Sequence, residues 1–297
     1  MKIIQPATIE PADVTSNVAI TETAWTAGTY TLGQQRYVGV DLYEVAASST
    51  TDEPTAGAAL DPPSWVIIGQ VNKWRMFNGA LYQQTMQTAG PIQVSVEFAE
   101  RVNAIAVLNC LAAQAVVTMR DAEGNVVYEN TVSLIDNSLI TNWFQWFFGS
   151  RARFPDFVLM DLPTYAGGTV TIELSSGAND VACGALVLGD QISLGSTGLN
   201  YTVRNRFFSR RERSIYGAFL DLLKRPVARE GTFNVLMDTK TVPRILKLLS
   251  DREILPTIYV GDEGYRQSIL FGFPDEPEVA QITQGKAMMN LTILGQT

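Results

Sequence analysis

Histidine is absent from all 297 residues, which removes Ser-His-Asp and Cys-His catalysis, imidazole metal ligation and any imidazole pH switch. Sulfur offers little more. Cys110 and Cys183 stand 73 positions apart without CxxC spacing, so they read as two buried thiols, not as a zinc or redox pair. Carboxylates are plentiful, but Asp52/Glu53, Asp262/Glu263 and the Asp275, Glu276, Glu278 cluster lie beside Gly or Pro in expected loops. Glycosidic acid–base work needs two carboxyls facing one cleft at a set separation, which adjacency in the chain does not supply. No phosphate-cradling glycine loop, nucleophile elbow or HExxH pair occurs. The expectation is a protein that is not an enzyme and needs no cofactor, a loop-held Ca2+ being the one cation its carboxylates would suit.

Two constellations remain. Arg204, Arg206, Arg210, Arg211 and Arg213 are interleaved with Phe207 and Phe208. Residues 200–229 hold 8 basic and 2 acidic side chains, against 14 and 28 in the rest of the chain. A basic strip can grip phosphates, but a net charge of -8 repels nucleic acid at long range, so no nucleic-acid partner is expected. Arginine mixed with aromatics suits a protein interface, and the strip of one copy would complement the acidic faces of another. The second constellation is aromatic. Trp25, Gly28, Tyr30 and Gly33 follow a W-x-x-G-x-Y-x-x-G spacing, with Tyr43 and then Trp65 beyond a Pro-rich loop. This arrangement resembles the small carbohydrate-binding modules of chitinases, in which Trp25, Tyr30, Tyr43 and Trp65 would stack on sugar rings for about 1 kcal/mol each. The competing reading makes the same rings the module's core. It is favoured for Trp65, because Val66–Ile68 reads as a buried strand.

The elements around these residues read as mainly β. A small N-terminal β module occupies 1–75, with Ala46–Pro63 as a loop between short strands. A central antiparallel β-sandwich covers 90–195, where Ile92, Val94, Val96 and Phe98 alternate with polar residues and put every apolar side chain on one face. Short runs at 105–108, 115–120, 126–132, 157–161, 170–174 and 181–188 continue the pattern, with Ala122–Asn125 as a hairpin turn. An Arg-rich linker, 196–214, leads to an α+β domain at 215–297. There Thr241 and Pro243 open a helix carrying Val242, Ile245, Leu246 and Leu249 at i, i+3, i+4, i+7. The opening MKIIQPATIEPADV lacks the apolar run of a signal peptide, and Asn103, Asn109 and Gln114 break the longest apolar tract, so no membrane insertion is expected.

The whole chain resembles a group of tailed-bacteriophage virion proteins. The likeness rests on the KIIQPATI start, NKWRMF at Asn72–Phe77, DAEGNVVY at Asp121–Tyr128, the sandwich exit at Leu186–Gly195 and the closing strand at Leu291–Gly295. It implies a structural component of the tail, tail tip or fibre-attachment apparatus, assembled in the host cytoplasm with copies of itself and other virion proteins. The alternative is an adhesin that binds a host glycan.

Overall fold

The computed structural model describes residues 1–297 except 139, 150, 166, 214, 215, 217 and 218, and leaves out the side chains of Arg211, Arg213 and residues 219–221. The protein is mainly β, with 48% of residues in strands and 12% in helices. Where the period of two is clear the strands fall where expected. Ile92–Phe98 buries Ile92, Val94 and Val96 on one face, and Gln114–Arg120 buries Ala115, Val117 and Met119 in the same way. The run expected at 181–188 is instead two strands, Val181–Cys183 and Ala185–Ser193. They part at Gly184, where a Cβ would press on the Leu81 carbonyl oxygen.

Two antiparallel sheets build the body. The larger runs in the order 157–159, 104–108, 185–193, 2–6, 257–260, 269–281, 286–295, 227–238, 196–197, with Thr202–Phe207 also paired to 227–238. The second runs 126–133, 114–120, 168–175, 92–98, 14–16. One end of the large sheet faces the second sheet. Ile105, Val107, Leu186 and Leu188 meet Val94, Val96, Val117, Met119 and Ile172 in one dry core. At the other end the helix Val242–Ser250 lays Ile245 and Leu249 on a core with Phe233, Val235, Tyr259 and Met289. Pro243 sits in its first turn as expected, but Thr241 gives no side-chain cap. Its hydroxyl instead donates to the Asp238 carbonyl, 2.8 Å away.

Several segments differ from the sequence expectation. The first strand, Lys2–Pro6, does not pair within the N-terminal module. It lies inside the large sheet, bonded to Ala185–Ser193 on one side and Thr257–Val260 on the other. Ile3 and Ile4 point to opposite faces and are both buried, in different cores. The small module is therefore built from later residues, chiefly the three-stranded ladder of Gln35–Val38, Asp41–Val45 and Trp65–Gln70. Its Ala46–Pro63 loop contains the short helix Pro54–Ala58. Residues 196–214 are not a linker: Thr202–Phe207 and Arg210–Arg213 are both strands.

The pairing of Lys2–Pro6 demands close backbone approach. A Cβ on Gly189 would collide with the Gln5 carbonyl oxygen across the ladder, and only hydrogen fits there. Gly189→Ala is expected to cost about 2 kcal/mol or more in denaturant melts. Gly285→Ala, where no atom lies within 4 Å of the new carbon, should stay within about 0.5 kcal/mol of the parent.

Candidate assembly surface

The five arginines fall on a projecting β-ribbon. Thr202–Phe207 pairs with Val227–Thr232, and Arg210–Arg213 pairs onward with Phe219–Leu223. The strand 227–238 meets its other neighbour, Lys286–Gly295, only from Gly231 on. The ladder of Arg210–Arg213 with Phe219–Leu223 lies beyond that pairing and, among the described residues, forms a two-stranded sheet of its own. The ribbon carries Phe207, Phe208, Leu222, Leu223 and Val227 exposed. A two-stranded ribbon bearing apolar side chains in water has no core of its own to hold it.

Its root is fixed by charge. Glu230, with 4% of its side chain exposed, accepts from Arg204 at 2.8 Å and from Arg206 at 2.9 Å. The hydrogen bond from Arg206, with Arg204 adding to it, holds the Glu230 carboxyl below the usual carboxylate range against the opposing effect of burial. Arg229 Nη1 reaches Asp156 Oδ2 at 3.0 Å, tying the ribbon root to the segment before Phe157–Leu159. Arg210 pairs with Glu212 on its own strand. Arg204 and Arg206 on Thr202–Phe207 and Arg210 on the next strand already hold carboxylates within the chain, while more than half of each side chain stays exposed. The side chains of Arg211 and Arg213 lie outside the described residues.

The aromatic quartet is placed differently. Trp65 is 0% exposed, Tyr30 and Tyr43 are buried with Val45, and Trp25 packs half-buried against them. Tyr30 meets the Trp65 indole edge-on with centroids 5.4 Å apart, and Trp65 Nε1 donates to the Asp52 carbonyl at 3.1 Å. Trp65, Tyr30 and Tyr43 are taken up in the core of the small module, and Trp25 keeps part of its ring at the surface. The expectation for Trp65 rests on a strand pattern that the structure reverses, since Val66, Ile67 and Ile68 are exposed. Cys110 and Cys183 are free and buried, and burial pushes the Cys110 thiol up to about 12. Among the described residues no group of three or more Cys, Asp or Glu is placed to hold a metal ion.

Two features come from residues the sequence does not single out. An acidic cavity of about 610 Å³ is lined by Glu10, Asp13, Glu97, Glu100 and Asp121 over Val96 and Phe98. Pairing of Val14–Ser16, Ile92–Phe98 and Gly168–Ser175 draws these distant carboxylates together, so no local signal marks them. The second is the helix Trp143–Phe148, WFQWFF, whose rings are exposed. Here a signal exists: five aromatics in six residues, framed by Asn142 and Gly149, a capping residue and a helix stop.

Comparison with protein families, curated proteins and solved structures finds no match to this chain.

Two outcomes test the geometry. The Glu230 carboxyl is lowered by folding, so its contribution is full above the unfolded value near pH 4.3 and is lost as pH falls through the folded value. Amide exchange, corrected for its intrinsic pH dependence, should show the 202–207 and 227–230 amides losing protection below about pH 4, and Glu230→Gln should loosen them at neutral pH. Trp65→Ala should cost about 3–5 kcal/mol and unfold the small module, read from proteolysis within 20–70.

Proposed function

We propose that the protein is a structural subunit of a larger assembly, acting through protein–protein contacts, and that the assembly is a bacteriophage virion in which it belongs to the tail. The observation that carries the structural reading is the ladder of Arg210–Arg213 with Phe219–Leu223, beyond the pairing of Thr202–Phe207 with Val227–Thr232, together with the exposed Phe207, Phe208, Leu222, Leu223 and Val227. Such an element is stabilised when a neighbour covers it. The virion assignment rests on the resemblance of the sequence motifs. Three rings of the aromatic quartet, Tyr30, Tyr43 and Trp65, are occupied in the module's own core, which leaves the glycan-binding adhesin with Trp25 alone of the four at the surface.

Charge indicates how copies meet. The ribbon is the basic part of an acidic chain, and the cavity around Glu97 and Glu100 is a dense acidic recess on the body. Arg210, at the start of the outer ladder, matches that recess in a second copy, and arginine's planar fork would set the register of the contact. A contact between two different patches is heterologous, so repetition gives a closed ring or an open stack according to the rotation it imposes.

Arg210→Glu should block self-association in sedimentation velocity while leaving the melting temperature within about 2 °C, since the residue is exposed. Adding Glu97→Arg and Glu100→Arg to the same chain should restore part of it. Normal assembly of the single variant, or no rescue by the exchange, would remove the ribbon-to-recess contact. Absence of the protein from purified particles of the phage that encodes it would remove the virion reading.

A further inference from the structure

We propose that the helix Trp143–Phe148 is a peripheral anchor that inserts into the surface of an anionic lipid bilayer. It sits at the head of a stalk made by Ile135–Asp136 paired with Ala152–Arg153. Trp143 is 78% exposed, Phe144 72%, Phe147 71% and Phe148 76%, and Trp146 is about half exposed. At 100° per residue these rings leave the helix in directions covering more than half its circumference, and Gln145 holds the remaining sector. Together they expose on the order of 700 Å² of aromatic surface. A partner groove receives one stripe of a helix and leaves a polar face to water. An apolar medium that surrounds the head satisfies every ring at once.

Several polar groups of the head bond within it. Gln145 does not offer its amide oxygen to solvent: that oxygen accepts from the Thr141 backbone N–H and from its hydroxyl, both at 2.8 Å. Asn142 caps the helix by accepting from Gln145 N at 2.9 Å, and the Gly149 N–H closes on the Gln145 carbonyl at 2.9 Å. Each such bond lowers the cost of taking that group out of water, and the remaining polar groups can stay at headgroup depth. Tryptophan with phenylalanine is the composition of the bilayer interface.

Charge selects the kind of surface. Residues 137–155 contain no acidic side chain and two basic ones, Arg151 and Arg153, in a chain of net charge -8. Arg151 stacks over Trp146 at 5.3 Å, which places its guanidinium at the neck of the head. Aromatic rings below the headgroups and guanidinium groups among them match an anionic leaflet. This is insertion from one side. Among the described residues no helix is long and apolar enough to cross a membrane.

The test is co-sedimentation of the full chain with vesicles of phosphatidylcholine alone and of phosphatidylcholine mixed with phosphatidylglycerol. Binding is expected to the mixed vesicles, weakened by salt. Trp143→Ser with Phe147→Ser should lower it at least about tenfold with an unchanged melting temperature, because both rings are exposed. Arg151→Glu should remove the preference for phosphatidylglycerol. Brominated lipid should quench tryptophan emission in the parent but not in Trp143→Phe/Trp146→Phe, since Trp25, Trp65 and Trp74 are half-buried or buried. No binding to mixed vesicles, equal binding by the Ser variant, or a Ser variant whose only defect is lost self-association overturns the proposal; the last result would assign the head to a protein neighbour. The Arg210→Glu assembly test is independent of all three.

Discussion

The body depends on backbone hydrogen bonding through five residues, Lys2–Pro6. Every strand of the large sheet on the sandwich side connects to every strand on the helix side through this segment, which is bonded along both edges. Ile3 seals the core beneath the helix, while Ile4 seals a third core with Ala104, Ile258 and Phe271. The middle of the strand is covered on both faces, which is why two isoleucines stand side by side there, as consecutive buried residues do in the flanking strands Ala104–Leu108 and Thr257–Val260, while Lys2 and Gln5 are only half-buried. The close approach at Gly189 is part of the same requirement, because any side chain there would push the strand away from its neighbour.

Around that frame, charge is separated in space as well as in sequence. Carboxylates from three remote stretches gather over the sandwich, whereas arginines collect on the elements that leave the body. The Arg229–Asp156 pair joins the roots of the ribbon and of the aromatic stalk, since Asp156 follows the Ala152–Arg153 strand by only three residues. The two projections thus share a footing. Among the described residues each is held at its base by hydrogen bonds, and the Arg229–Asp156 ion pair joins the two bases.

What the sequence reveals follows from the range of the forces involved. Ile92–Phe98 and Val242–Ser250 are legible because a period of two or of 3.6 is written in consecutive residues. The position of Lys2–Pro6 is not legible, since its partners lie near residues 190 and 259 and nothing in KIIQP names them. Residues 196–214 look like a linker because a ribbon without a core shows no buried face to alternate against. Val66–Ile68 misleads for the opposite reason: the three apolar residues stand on an exposed strand whose neighbour, Trp65, carries the packing. The acidic recess is illegible for the same reason as the first strand. The aromatic head is legible in principle, as a run too apolar for the short loop that holds it.

The threading of Lys2–Pro6 between Ala185–Ser193 and Thr257–Val260 also sets an order of events during synthesis. A ribosome must add some 250 residues after the first strand before its second partner emerges, which at typical elongation rates takes on the order of tens of seconds. For most of that interval Ile3 and Ile4 belong to a nascent chain with both edges of the strand unpaired, and after Ala185–Ser193 is made one edge still awaits Thr257–Val260. Completion of the large sheet is therefore a nearly post-translational step. Contacts over such sequence distances carry a large loop-closure cost, which slows completion of the large sheet.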